Sequence, residues 1–239
     1  MEIGTDLAKH SYMFAIPCYE GKLQAETALS LLSASGKLTA QGVPHVFNLI
    51  RGGALIDAVR NEIVHRFLHE TKCDTLICID ADVEFDWENM ERLLVFSGHY
   101  PIIAGAYCSR QDEPKFVIKP MSKQLNEHGL MPIAGMGFGF VAIQRSTLEK
   151  MAEDTVSYFD ELNQKDIKAF FRTGQIGEDG KYIGEDVWFF KEAVRMGITP
   201  YLDPGITLKH HGPKVFDYQL KDYVDQLLAL GEQYGIQTD

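Results

Sequence analysis

The apolar positions fall into short unbroken runs separated by stretches of helical period. Tyr12-Met13-Phe14-Ala15-Ile16-Pro17 reads as a first strand, ended by its proline. A helix is expected from Lys22 to Lys37, closing near Gly36, then a second strand from Val43 to Ile50. Arg51-Gly52-Gly53 opens a helix to about Glu70, with Ile56, Val59, Ile63 and Phe67 on its apolar face. Asp57, Arg60 and Asn61 share another face of it, at i, i+3 and i+4. Thr75 to Phe85 begins as a buried strand and carries Asp80-Ala81-Asp82. A helix from Trp87 to Phe96 and a strand from Pro101 to Gly105 follow. This β-α-β-α-β-α-β order implies a mostly parallel sheet with helices on both faces.

The pattern then changes. Phe116-Val117-Ile118 and Leu130 to Ile133 read as short strands around a polar turn. Gly135 to Ile143 alternates like one strand, and a helix begins at Arg145. Thr173 to Gly184 is rich in glycine and polar residues and reads as a mobile loop. Gly184-Glu185-Asp186 starts a helix that Gly197 would cap. Thr199 to Leu202 and Ile206 to His210 read as strands, and Phe216 to Leu230 as a last helix with Leu220, Val224, Leu227 and Leu228 in its stripe. The fold class expected is α/β, a Rossmann-like sheet with a smaller antiparallel part.

At 239 residues the chain can bury a full core in one domain. Its net charge of −11 argues against a general nucleic-acid or anionic-membrane binder. Cys18, Cys73, Cys78 and Cys108 form no CxxC and no disulfide framework, which points to thiols in a reducing cytoplasm. The polar start of the chain does not read as a signal peptide, and no apolar run reaches membrane-spanning length.

If Asp80 and Asp82 lie on a strand, they leave the same face. Two adjacent carboxylates repel, and a divalent cation removes the conflict. A solvated strand end is the plain alternative. Glu185-Asp186 could stabilise a helix dipole, or one of them could take a proton from an attacking alcohol. A carboxylate at a helix start is expected to stay ionised at neutral pH. Of His210 and His211, neighbours on a strand, only one can face a site. His65 and His69 lie at i, i+4 but lack HExxH, and read as surface residues. Gly135-x-Gly137-x-Gly139 has the wrong spacing for a dinucleotide fingerprint; glycines in a strand permit close approach. Gly52-Gly53 could support an anion, and Tyr107 and Arg110 follow a strand, where ligand contacts often fall.

These segments together resemble the GT-A-fold nucleotide-sugar glycosyltransferases, near the family 2 type and its viral or phage-like relatives. The matching pieces are Ile16-Pro17-x-Tyr19, Ala58-x-Arg60-Asn61, Asp80-Ala81-Asp82 as a DxD motif and Gly105-Ala106-Tyr107. They continue with Gly137-Phe138-Gly139-Phe140, Gly184-Glu185-Asp186-x-x-Phe189 and His210-x-Gly212. The resemblance implies one GT-A domain over 1–239, with a nucleotide-binding half to about 110 and an acceptor and catalytic half beyond. It implies that Pro17 and Tyr19 border the base and that Arg60 lies near the nucleotide. Asp80 would contact the ribose or a metal-bound water, and Gly137 and Gly139 would line the donor-sugar pocket. Asp82 would bind Mn2+ or Mg2+ with His210, or His211 in its place, and Asp80 as a further ligand. Asp186 would be the general base of an inverting transfer, with Glu185 as alternative or acceptor contact. Tyr107 and Arg110 would face the acceptor. The expected substrates are a nucleotide-sugar, UDP-linked before GDP-linked, and a glycan or glycoprotein hydroxyl. A sugar nucleotidyltransferase would carry a more glycine-rich, basic loop than Cys18 to Lys22. A non-catalytic carbohydrate-binding scaffold would carry a broken DxD or Glu-Asp pair, and both are intact.

Overall fold

The computed structural model describes residues 4–111, 115–161, 163–177, 180–212 and 215–234. Its strands are β1 (Tyr12–Cys18), β2 (His45–Arg51), β3 (Thr75–Ile79), β4 (Val83–Glu84), β5 (Ile102–Ala104), β6 (Ile118–Pro120), β7 (Met131–Met136) and β8 (Phe140–Gln144). They continue with β9 (Ser157–Asp160), β10 (Lys165–Lys168), β11 (Gln175–Ile176), β12 (Tyr182–Ile183), β13 (Tyr201–Leu202), β14 (Lys209–His211) and β15 (Val215–Phe216). The helices are α1 (Ala25–Ala40), α2 (Ile56–Glu70), α3 (Trp87–Ser97), α4 (Arg145–Asp154), α5 (Glu185–Arg195) and α6 (Leu220–Tyr234).

One eight-stranded sheet runs in the order β2-β1-β3-β8-β5-β13-β7-β6. β1 pairs in parallel with β2 and β3, and β13 with β5, while β8 and β7 run against their neighbours. The expected α/β architecture with a mostly parallel sheet is therefore present. Alternation divides each central strand between two cores. Met13, Ala15, Leu76 and Cys78 join Phe67, Leu148, Phe189 and Leu220 on one face. Phe14, Ile16, Ile77 and Ile79 join Leu31, Leu38, Leu93 and Leu94 on the other. Both faces are covered by helices, which is why β1 and β3 are buried at every position.

Several local expectations change. Gly36 lies inside α1, which runs on to Ala40 because Leu38 still has a core to enter. Gly135 to Ile143 is not one strand: it crosses from β7 to β8, and β5 and β13 lie between the two in the sheet. Thr173 to Gly184 contains the β11–β12 hairpin, with residues 178–179 outside the described part. The β9–β10 hairpin was not anticipated. Its polar strands give little pattern, and it is held to α2 by Lys165 Nζ donating to Glu62 Oε1 at 3.0 Å. Asn61 is fully used by the chain: its amide exchanges two hydrogen bonds with the Phe171 backbone, at 2.9 and 2.8 Å. No helix among the described residues is long and apolar enough to cross a membrane.

Candidate functional site

β3 ends at Ile79, so Asp80 and Asp82 do not stand on a strand as expected. They lie in a turn that Val83 N–H closes by donating to Asp80 O at 3.3 Å. Three further backbone bonds pin that turn. Asp80 N–H donates to Gly139 O at 3.0 Å, Gln24 N–H to Ala81 O at 2.9 Å and His211 N–H to Asp82 O at 2.8 Å. β14 pairs antiparallel with β4 directly after the turn, His210 opposite Val83. That pairing carries a residue from far along the chain to the two aspartates.

The turn forms one side of a cleft of about 990 Å³. Pro17, Tyr19, Arg60, Asp80, Asp82, Tyr107, Arg110, Gly137, Asp186 and His210 all line it. Glu185 and Gly139 do not line it. Glu185 sits one layer back, its Oε1 3.7 Å from Arg60 Nε. Gly139 is space for others: a Cβ there would lie 2.4 Å from Asp80 Oδ2 and 2.6 Å from the Tyr107 ring. Gly52 and Gly53 also lie outside the lining, and both serve a turn at positive φ, 78° and 90°.

Asp80 is held on both oxygens. Arg60 Nη2 donates to Oδ1 at 3.1 Å and Tyr107 Oη to Oδ2 at 2.9 Å. Arg60 is 5% exposed and lies over the Phe138 ring, 5.2 Å from its centroid. Burial works against its charge, but Asp80 and the other surrounding acidic groups outweigh it and raise its pKa. Its Nη1 is buried and has no hydrogen-bond partner among the described residues. Burial, and then the Asp80 charge, push the Tyr107 hydroxyl well above the usual tyrosine range, so it stays a donor. Tyr107 and Arg110, expected on the acceptor side, are thus placed on the two aspartates.

Asp82 has different neighbours. Arg110 Nη2 donates to its Oδ2, and His210 Nε2 lies 3.6 Å from its Oδ1. Burial raises the Asp82 carboxyl, but His210 and Arg110 outweigh it and hold it below the usual carboxylate range. His210 Nδ1 meets the Cys108 carbonyl at 2.9 Å. A carbonyl only accepts, so Nδ1 carries a proton and Nε2 is the atom turned to Asp82. His211 faces away and meets Glu84 Oε2 at 2.7 Å through its own Nε2.

Among the described residues, no group of three or more His, Cys, Asp and Glu side chains is arranged to hold a metal ion. Asp82 and His210 nevertheless fit a shared divalent ion as a pair. Ligand atoms about 2.0–2.2 Å from one ion stand roughly 3–3.5 Å apart, so His210 Nε2 and Asp82 Oδ1, at 3.6 Å, need close only slightly. The imidazole has its outer N–H bound to a carbonyl, the usual support of a ligating histidine. Such a pair leaves the remaining positions to water and to substrate oxygens, as magnesium sites often do.

Asp186 enters from the start of α5. Its Oδ1 accepts from Val187 N–H at 2.6 Å, and Gly184 leaves room for it, since a Cβ there would come within 3.0 Å of that oxygen. A helix start was expected to keep this carboxyl ionised. It does so less firmly than expected, because burial, then the neighbouring charge of Glu185, push it up to about 6, against the pull of Val187 N–H and Arg60. It is still largely ionised at pH 7, but poised to hold a proton.

Sequence reasoning gave no site role to several lining residues, and three of them are Glu20, Lys22 and Ser109. Glu20 and Lys22 form an ion pair at 2.6 Å on the rim, and Glu20 has a left-handed φ of 56°. The third is Ser109, whose Oγ is buried with no hydrogen-bond partner among the described residues. The Glu20-Gly21 pair after β1 was the available signal, because consecutive left-handed residues mark a forced turn.

The sequence matches no protein-family model and no curated protein. Among solved structures, the chain is similar to A197 from STIV, with a TM-score of 0.51 and 19% identity over 87% of this chain and 93% of that one. It also aligns with GalNAc-T7, solved with UDP, GalNAc and Mn2+, at a TM-score of 0.43 and 11% identity. That alignment covers 82% of this chain but only 42% of the other, and so loose a likeness carries no argument. The first likeness is one of fold alone, that of a mixed α/β chain.

Proposed function

We propose that this protein is a metal-dependent glycosyltransferase. It moves a sugar from a nucleotide-sugar, with UDP-sugars favoured, to a hydroxyl of a glycan or glycoprotein, with inversion. The observation that carries the reading is convergence. Asp82, His210 and Asp186 come from three distant segments and line one cleft. That is the set the resemblance requires, and a solvated strand end or a dipole-stabilising helix start would not need it.

Charge supports it too. The cleft is lined by Glu20, Asp80, Asp82 and Asp186 against Lys22, Arg60 and Arg110. A diphosphate entering this balance gains little without an added cation. Asp82 and His210 would hold Mn2+ or Mg2+, which would neutralise the charge that grows on the leaving diphosphate. Pro17 and Tyr19 border the base, and Arg60 fixes Asp80 for the ribose side. The nucleotide is taken by the half up to about residue 110 and the acceptor by the rest of the same domain.

In the transfer itself, the bond from the anomeric carbon to the diphosphate oxygen breaks and its electron pair leaves with the nucleoside diphosphate. An acceptor oxygen bonds that carbon from the opposite side. Its proton passes to Asp186, through Oδ2, since Oδ1 is occupied by Val187 N–H. The transition state has oxocarbenium character, as in glycoside hydrolysis. Glu185, paired with buried Arg60 one layer behind the cleft, raises the proton affinity of Asp186 and does not itself meet the acceptor.

Release of UDP from a panel of UDP-sugars with manganese, followed by proton NMR of the product's anomeric centre, tests the reading. Metal-dependent UDP release with an inverted product is expected. No release from any nucleotide-sugar, with or without metal, would overturn it, and release of pyrophosphate would redirect it to nucleotidyl transfer.

A further inference from the structure

Asp82 is already occupied by a cation of the chain's own. Arg110 Nη2 donates to Oδ2, while the Arg110 side chain remains 41% exposed and free to swing outward. Gly212 makes the contact possible. A Cβ at 212 would lie 3.0 Å from Arg110 Cδ and 3.1 Å from Nε. Its backbone is not left-handed, so glycine is needed there for space alone. This gives a role to the last residue of His210-x-Gly212, which neither the metal nor the nucleotide explains.

We propose that Arg110 is the resident counter-ion of Asp82, that a divalent ion must displace it, and that the diphosphate of an incoming nucleotide receives it. The inference rests on the metal and nucleotide reading above. A guanidinium binds carboxylate and phosphate oxygens with the same planar fork, so it can exchange one for the other. Without nucleotide, metal competes with Arg110 and binds weakly, because the open form of Asp82 is a minor population. With nucleotide, Arg110 has a second anion to pair with and Asp82 is released. Metal and nucleotide then strengthen each other's binding by the same factor. Arg110 is thereby assigned to the diphosphate, not to the acceptor.

The test titrates manganese alone, then manganese with UDP, into the wild type, Arg110→Gln and Gly212→Ala, reading free Mn2+ by electron paramagnetic resonance. Gly212→Ala keeps the charge and crowds the Arg110 stem, which must give by a few tenths of an ångström and so loosens its hold on Asp82. Arg110→Gln should bind manganese alone about tenfold more tightly than the wild type, and Gly212→Ala more tightly by a smaller factor. UDP should tighten manganese binding in every variant, because the diphosphate meets the metal directly, but by a clearly smaller factor in Arg110→Gln than in the wild type. Variants that bind manganese alone no more tightly than the wild type, or an undiminished UDP effect in Arg110→Gln, would overturn the exchange while leaving the metal site intact. Failure of the wild type to bind manganese even with UDP would remove the metal reading itself, and this inference with it. Near-identical thermal melting of the three proteins checks that the fold is kept.

Discussion

The two aspartates of one turn live in different worlds. Asp80 has both oxygens committed to Arg60 and Tyr107, and Arg60 in turn is 5% exposed and faces Glu185. Asp82, two residues on, meets a half-exposed arginine and an imidazole 3.6 Å away. The Asp80 side is a fixed, buried network in which each member would be costly to orphan. The Asp82 side is built from partners that can be exchanged. A binding site needs both: the first holds the turn still, and the second has capacity left for a ligand. The same two residue types, a carboxylate and an arginine, serve either purpose according to burial.

The sharpest break of this contrast is Asp82→Ala. Transfer should fall by at least about three orders of magnitude, the several kcal/mol that a metal ion contributes to such a leaving group. Metal-dependent UDP binding should vanish in calorimetry. The melting temperature should hardly move, because no buried partner is orphaned. Unchanged affinity for UDP with manganese would show that the exchangeable side is not the metal side.

Asp186→Asn should have the next largest effect. Nucleotide binding survives, since Asp186 is not among the partners of either aspartate, and turnover drops about a hundredfold or more. Near-normal turnover would remove Asp186 as the base and turn attention to Glu185.

Much of this contrast was hidden in the sequence. The strands β1 and β3, the helix face of Arg60 and the start of α5 follow from hydrophobic period and local composition, and the structure has them near the expected residues. The convergence of His210 on Asp82 follows from the β4–β14 pairing, which joins residues over a hundred positions apart and leaves no local pattern. The resemblance gave Asp80 and Asp82 different roles, but the partners that set them apart were hidden for a like reason, because they come from α2, from the chain after β5 and from β14. Gly139 looked like a pocket glycine. It is a glycine because Asp80 and Tyr107 fill the space a side chain would take. The split of Gly135 to Ile143 into two strands was equally illegible, because apolar alternation cannot say that a chain leaves one place in a sheet and returns at another.

Gly139→Ala tests the fixed side without touching a charge. A methyl group 2.4 Å from Asp80 Oδ2 must displace Asp80 or Tyr107. The cost should be about 1–3 kcal/mol of stability, the usual range for overpacking, read as a lower melting temperature. UDP should bind less well as the turn shifts. A variant as stable as the wild type would mean that the Asp80 network is looser than its hydrogen bonds imply. Asp82→Ala and Gly139→Ala should therefore separate cleanly, one losing function with stability kept and the other losing stability first.

The smallest effect is one of pH, and it links the two aspartates to the third. Asp186 is raised to about 6 by burial and by Glu185, above its ordinary value of 3.8. As the base it must be ionised, so kcat/KM should fall about tenfold between pH 7 and pH 5 along an acidic limb with its midpoint near 6. Stability moves the other way. The folded carboxyl binds its proton more tightly than the unfolded one. Its contribution is therefore fully present below the unfolded value, near 4, and is lost as pH rises through about 6. Asp186→Asn should lack that limb in its residual activity and show a flatter dependence of melting temperature across the same window. Glu185→Gln should keep the limb but move it to lower pH, because the neighbouring charge that raises Asp186 is gone. A limb that stays at pH 6 in Glu185→Gln would mean that desolvation alone sets the proton affinity of the base.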